Sequence, residues 1–205
     1  QALMERSKLG VSAVIYLFVL NDPERGEALQ REQEYIYDFM NFRRHWISWG
    51  LGSFIENWAC FRFLREQIAL HASARQTVRW YHRLFDPAIN PGYLRTWERI
   101  LEMNREAKAQ GLAFALVVYP LMVEFQAYPF EEIHRRLRKS AKHEHRAGPL
   151  AQIDVFDLLP AFQQSGFRST QLTVHPVDLH PNAAAHTLAA QALSDWITKT
   201  GWAPQ

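Results

Sequence analysis

Asp178-Leu179-His180-Pro181-Asn182 sets a carboxylate two residues from an imidazole and then runs into Ala183-Ala184-Ala185-His186. An imidazole held by a neighbouring acid is the usual general-base arrangement for activating a hydroxyl nucleophile. A second polar pair, Asn21-Asp22, closes the apolar run Ser12–Leu20. Asn21 alone has a lesser reading as a turn residue, whereas Asp22 reads foremost as a side chain bonding the loop it sits in. His175, His180 and His186 with Asp178 also raise the question of a metal. His186 lies six residues beyond His180 in a helix, on a different face, and no acid cluster joins them. His175 and His186 therefore read as packed or loop-bonded histidines, and neither a metal nor another cofactor is expected.

Hydrophobic periodicity defines the elements that must carry these residues. Ser12–Leu20 (SAVIYLFVL) is a continuous β-branched and aromatic run, which suits a strand buried on both faces. Asn21-Asp22-Pro23 stops it. From about Glu27 to Arg83 the pattern is helical and rich in aromatic residues, broken at Gly50-Leu51-Gly52-Ser53. Asp86-Pro87 and Asn90-Pro91-Gly92 are loop. Tyr93–Gln110 reads as a helix ended by Gly111. Leu112–Tyr119 (LAFALVVY) is a second buried strand, closed by Pro120. Phe130–His145 is a polar, basic helix, Gln152–Phe156 a short strand, and Leu158–Gln164 a short helix. Asn182–Thr200 is the last helix, with Asn182 as its N-cap. Helix–Gly–strand units with buried strands imply an α/β sheet with helices on both faces. In such sheets active sites gather at the carboxyl ends of the strands. The loops after Leu20, after Tyr119 and before Asn182 are thereby expected at one rim.

Composition narrows the function. Hydrophobic content of 48% over 205 residues fits one sizeable globular domain or most of a larger one. A net charge of +2 argues against nucleic-acid binding by bulk electrostatics. The single cysteine, Cys60, excludes an internal disulfide and a Cys-rich zinc site. No stretch approaches the ~20 apolar residues of a membrane span. Gln1–Lys8 looks like the end of an amphipathic helix, so an upstream segment is expected.

Val19-Leu20-Asn21-Asp22 and Asp178-Leu179-His180-Pro181-Asn182 together resemble the SGNH (GDSL-like) hydrolase superfamily. The first looks like that family's third block, Gly-x-Asn-Asp, and the second like its last block, Asp-x-x-His with a following Pro. The helix–Gly111–strand–Pro120 course between them is similar as well. The resemblance implies a three-layer α/β/α sandwich with a flavodoxin-like parallel sheet. It also implies one SGNH-like domain over residues 1–205. It does not cover the helices of about 27–90, whose length between two strands reads as a helical insertion, a candidate lid, or more plainly as a helical layer over the sheet. Its activity would be that of a serine esterase acting on a small-molecule, glycan or lipid ester. His180 would remove the serine proton, Asp178 would orient His180, and the Asn21 amide would donate to the oxyanion. Asp22 and Asn182 would support the site.

The chain departs from the family in three places. Val19 replaces the Gly of the third block, and Asp178 lies two residues before His180 where the family has three. Neither Gly-Asp-Ser nor a second block is present. The resemblance therefore puts the nucleophile outside these residues, on a missing N-terminal strand and helix or a separate N-terminal fragment. Without that piece the Ser12–Leu20 strand is expected to expose an apolar face and the chain to be poorly soluble. The competing reading is a non-catalytic binding or assembly protein on the same fold. A third reading is a helical interaction module built on Glu27–Arg83.

Other features have plainer readings beside the functional ones. The basic run Ile133–Lys139 with Lys142, His143 and His145 reads as a solvated helix face, against a contact for anionic glycan or lipid. Trp46, Trp49, Trp58, Phe61, Phe63, Trp80 and Tyr81 read as core packing, against an aromatic substrate wall. Ser53 reads as a helix cap and Cys60 as a buried, inert thiol.

Overall fold

A computed structural model describes residues 11–41, 75–144, 152–175 and 178–202 of the chain. The side chains of residues 37–41, 143–144, 175 and 178–179 fall outside that description. So do Trp46, Trp49, Ser53, Trp58, Cys60, Phe61, Phe63 and His145.

The two apolar runs form strands β1 (Ala13–Val19) and β2 (Ala113–Tyr119), and Asp154–Asp157 forms β3. They make a parallel sheet in the order β1-β2-β3. In register, Ala13 faces Ala113 and Val19 faces Tyr119, while Val118 faces Asp157. β2 is the central strand and is buried on both sides, with Leu116, Val117 and Val118 at 0% exposure. Each such side chain contributes roughly 1.5–3 kcal/mol relative to an exposed one.

β1 corrects one expectation. Phe18 is buried, but Ile15 is 40% and Leu17 48% exposed. Ile15 and Leu17 share a strand face with Val19, and through the register with Ala115, Val117 and Tyr119. Burial on both faces therefore holds for β2 and fails for β1. Among the described residues β1 pairs only with β2.

Helices connect the strands. α1 is Glu27–Asn41, residues 75–84 are helical, and α2 is Pro91–Ala109. Gly111 ends α2's turn at φ 70°, a conformation that costs any other L-residue. α3 is Glu131–Glu144, α4 Leu159–Gln164 and α5 Ser169–Leu172. A two-stranded antiparallel hairpin follows, β4 (Thr173–His175) with β5 (Asp178–Pro181), and then α6 (Ala183–Thr200). The segment bearing Asp178 and His180, expected as loop, is thus a strand of this hairpin.

Neighbouring residues of β3 meet different helices. Phe156 stacks on Trp196 of α6 at 5.1 Å, whereas Asp157 bonds His134 and Arg138 of α3. Successive strand residues point to opposite faces of a sheet.

The chain divides into two compact units, Pro23–Leu94 and the remainder. The smaller unit is organised by Asn90, which is fully buried. Its Nδ2 donates to the carbonyls of Glu24 at 3.0 Å and Leu84 at 2.9 Å. Gly92 has no room for a side chain, since a Cβ there would stand 2.0 Å from the Glu24 carbonyl oxygen. Trp80 is a core residue of this unit and donates through Nε1 to the Leu29 carbonyl at 3.0 Å.

Candidate functional site

At the carboxyl end of β1 the chain turns on Asp22. Its Oδ2 accepts from the backbone N–H of Val19 at 2.9 Å and from the Tyr16 hydroxyl at 3.4 Å. The Asp22 N–H in turn donates to the Val19 carbonyl at 2.9 Å. Burial, and then the neighbouring Asp22 charge, push the Tyr16 phenol pKa upward. Asp22 thus ties the turn to the strand, and Asn21 stands exposed beside it.

At the other end of the sequence Asn182 uses both halves of its amide. Oδ1 accepts from the Ala185 N–H at 3.1 Å and caps α6. Nδ2 donates to the carbonyls of Gln171 at 2.9 Å and Thr173 at 3.0 Å. The Asn182 N–H also donates to the Leu172 carbonyl at 2.9 Å. One residue therefore joins the β4–β5 hairpin to the start of α6. Asp could cap but has no donor for the two carbonyls, and the single hydroxyl proton of Ser could serve only one of them. His180 is exposed on β5, two residues before this anchor. Asp178 lies on the same strand, but its side chain is outside the described residues.

Tyr119 borders one element adjoining each region. It ends the central strand, faces Val19 in register, and has its ring 6.1 Å from that of His186 in the first turns of α6. Phe162 of α4 packs on it at 5.6 Å. Tyr119 is only 4% exposed, and its hydroxyl has no hydrogen-bond partner. Burial pushes its pKa up to about 12, so it stays a neutral phenol. The strand that leads into Asn21-Asp22 and the helix that follows His180 thus both border Tyr119. The reading of His186 as a packed residue is half right: its ring rests on Tyr119, yet the residue is exposed.

The structure also contains a carboxylate–imidazole–hydroxyl row that the sequence reading passed over. His134 belongs to the run expected as a solvated basic face, but it is 0% exposed. Ile133, Leu137 and Ala141 are buried with it, while Arg135, Lys139 and Lys142 are exposed. His134 Nδ1 lies 2.8 Å from Asp157 Oδ1, and its Nε2 lies 3.4 Å from the Tyr128 hydroxyl. Asp157 also accepts from Arg138 through Oδ2 and from the Leu159 N–H at 3.0 Å. The Asp157 contact alone would favour an imidazolium. Burial, reinforced by Arg138 and opposed by Glu131, nonetheless lowers the His134 pKa to about 3. With His134 at 0% exposure, its imidazole cannot meet a substrate. The sequence signal for it was the 4-residue spacing of Ile133, Leu137 and Ala141, which turns position 134 toward the core side.

Among the described residues no group of three His, Cys, Asp or Glu side chains is placed to hold a metal ion. No described helix is long and apolar enough to cross a membrane. No family model matches this chain, and no curated protein and no solved structure matches it.

Proposed function

We propose that this chain is part of an SGNH-like serine esterase whose nucleophile lies outside these 205 residues. The observation that carries the reading is the position of Tyr119. It lies beside Val19, which precedes Asn21-Asp22, and against His186, which follows the His180 hairpin. Two segments about 160 residues apart are the ones the resemblance singles out, and both adjoin the carboxyl end of one parallel strand.

Two further features favour it. The exposed Ile15 and Leu17 on β1 offer an apolar face and an edge that an additional strand and its helix would cover. Phe156 contacting α6 and Asp157 contacting α3 fit helices on both faces of the sheet, as a three-layer sandwich requires.

In this reading a serine on the outside segment attacks the ester carbonyl. His180 takes the serine proton and later delivers it to the leaving alcohol, while Asp178 orients the imidazole. The exposed Asn21 amide donates to the developing oxyanion, where one preorganised donor is worth ~3 kcal/mol. Water then releases the acid. The substrate class is an ester, with an O-acyl group on a carbohydrate or lipid as the natural candidate.

The test is turnover of p-nitrophenyl butyrate by the full-length protein. His180→Ala should remove nearly all turnover, and Asn21→Ala should lower kcat with little change in KM. Wild-type turnover in His180→Ala refutes the catalytic assignment. An inactive wild type whose upstream segment lacks Gly-Asp-Ser makes the protein a non-catalytic binder on this fold.

A further inference from the structure

The contacts around His134 fit a simple pattern of donors and acceptors. The Leu121 N–H, two residues beyond β2, donates to the Tyr128 hydroxyl oxygen at 2.8 Å. With that oxygen accepting, the Tyr128 O–H is placed to donate to His134 Nε2, 3.4 Å away. A neutral imidazole with an accepting Nε2 carries its proton on Nδ1, which donates to Asp157 Oδ1 at 2.8 Å. The Asp157 carboxylate is completed by Arg138 and the Leu159 N–H. Protonating Nε2 would aim a second donor at the Tyr128 oxygen, which already accepts from the Leu121 N–H. The charged groups near the ring are Asp157 from β3, and Arg138 and Glu131 from α3.

The far end of this chain of bonds is the loop that leaves the central strand. Residues 120–130 follow Tyr119 directly, and the row fixes Leu121 to the end of β3 through three side chains.

Resting on the ester-hydrolase reading, we infer that His134 and Tyr128 are positioning residues for that site. As a neutral Nδ1–H imidazole, His134 sets the direction of the Tyr128 hydroxyl. Tyr128 in turn holds the Leu121 backbone at the carboxyl end of β2. Neither residue touches substrate. Their effect is to keep the loop beside Tyr119 in one conformation, and small displacements near reacting groups are costly in rate.

The experiment is a double-mutant cycle on the full-length protein, with kcat/KM for p-nitrophenyl butyrate as the readout. Urea unfolding of each variant establishes that it is folded under assay conditions. Tyr128→Phe keeps the ring and deletes the hydroxyl, while His134→Asn keeps a donor for Asp157 and deletes the acceptor for Tyr128. Each should lower kcat/KM about ten-fold in fully folded protein, and together they should lower it no further, because both cut the same chain. A purely structural role would leave kcat/KM of the folded protein unchanged. Should His134→Asn fail to fold, Tyr128→Phe decides alone. An active wild type with variants at wild-type kcat/KM, or with losses that multiply, overturns the positioning role. An inactive wild type instead removes the ester reading, and this role with it.

Discussion

Asn182→Asp is the sharpest test of the physical account of the His180 hairpin. Aspartate is an excellent N-cap, and its charge is favourable at a helix N-terminus by about 0.3–1 kcal/mol. Judged by capping alone, the variant should be neutral or stabilising. The structure says otherwise, because the Asn182 Nδ2 also serves the Thr173 and Gln171 carbonyls. The partly buried bond to Thr173 is worth about 1 kcal/mol and the exposed one to Gln171 about half that. A carboxylate loses both and turns an oxygen toward two carbonyls. Asn182→Asp should therefore lose about 1–2 kcal/mol. Asn182→Ala, which also loses the cap to Ala185, should lose roughly 2–3 kcal/mol. Urea unfolding followed by far-ultraviolet circular dichroism measures both, with an unchanged m-value as the check on two-state behaviour. An Asn182→Asp variant as stable as wild type would refute the argument that Asn182 joins hairpin to helix.

Three more outcomes are expected. Tyr119→Phe removes a buried hydroxyl that has no partner, so stability should hold or rise by up to about 1 kcal/mol in urea unfolding. A loss above about 1 kcal/mol would reveal a partner for that hydroxyl. Gly92→Ala should cost roughly 2–3 kcal/mol or more, because its Cβ would collide with the Glu24 backbone. Wild-type stability in that variant would contradict the close approach. The folded pKa of His134, about 3, lies below its ordinary 6.5, so the unfolded chain takes up the proton first. Its contribution is complete above about pH 6.5 and drains toward pH 3 by at most about 1.4 kcal/mol per unit. The stability difference between wild type and His134→Asn should shrink over that window; a difference flat from pH 7 to 4 would rule out a neutral buried imidazole.

The elements with strong local signals were legible in the sequence. β2 is a run with six of seven residues buried, and Gly111 closes α2 at a positive φ as its position implied. Asn182 caps α6, as an Asn before an alanine-rich helix should. The alternation of helix and strand was enough for a parallel α/β sheet. What was not legible depends on partners distant in sequence. β1 is as uniformly apolar and aromatic as β2, and only sheet order shows that it has one neighbour among the described residues. The hairpin that carries His180 is three and four residues per strand, too short for a periodic signal. His134 sits in a run of basic residues and is buried because Asp157, 23 residues away, supplies its partner. The unpartnered hydroxyl of Tyr119, inside an apolar strand, has no sequence signature at all.

The most direct measurement is labelling of the full-length native protein with a fluorophosphonate serine probe, with and without His180→Ala, followed by peptide mapping. The account predicts a single labelled serine outside these 205 residues, with labelling abolished by His180→Ala. No labelling of the wild type, or labelling that survives the loss of His180, would contradict it.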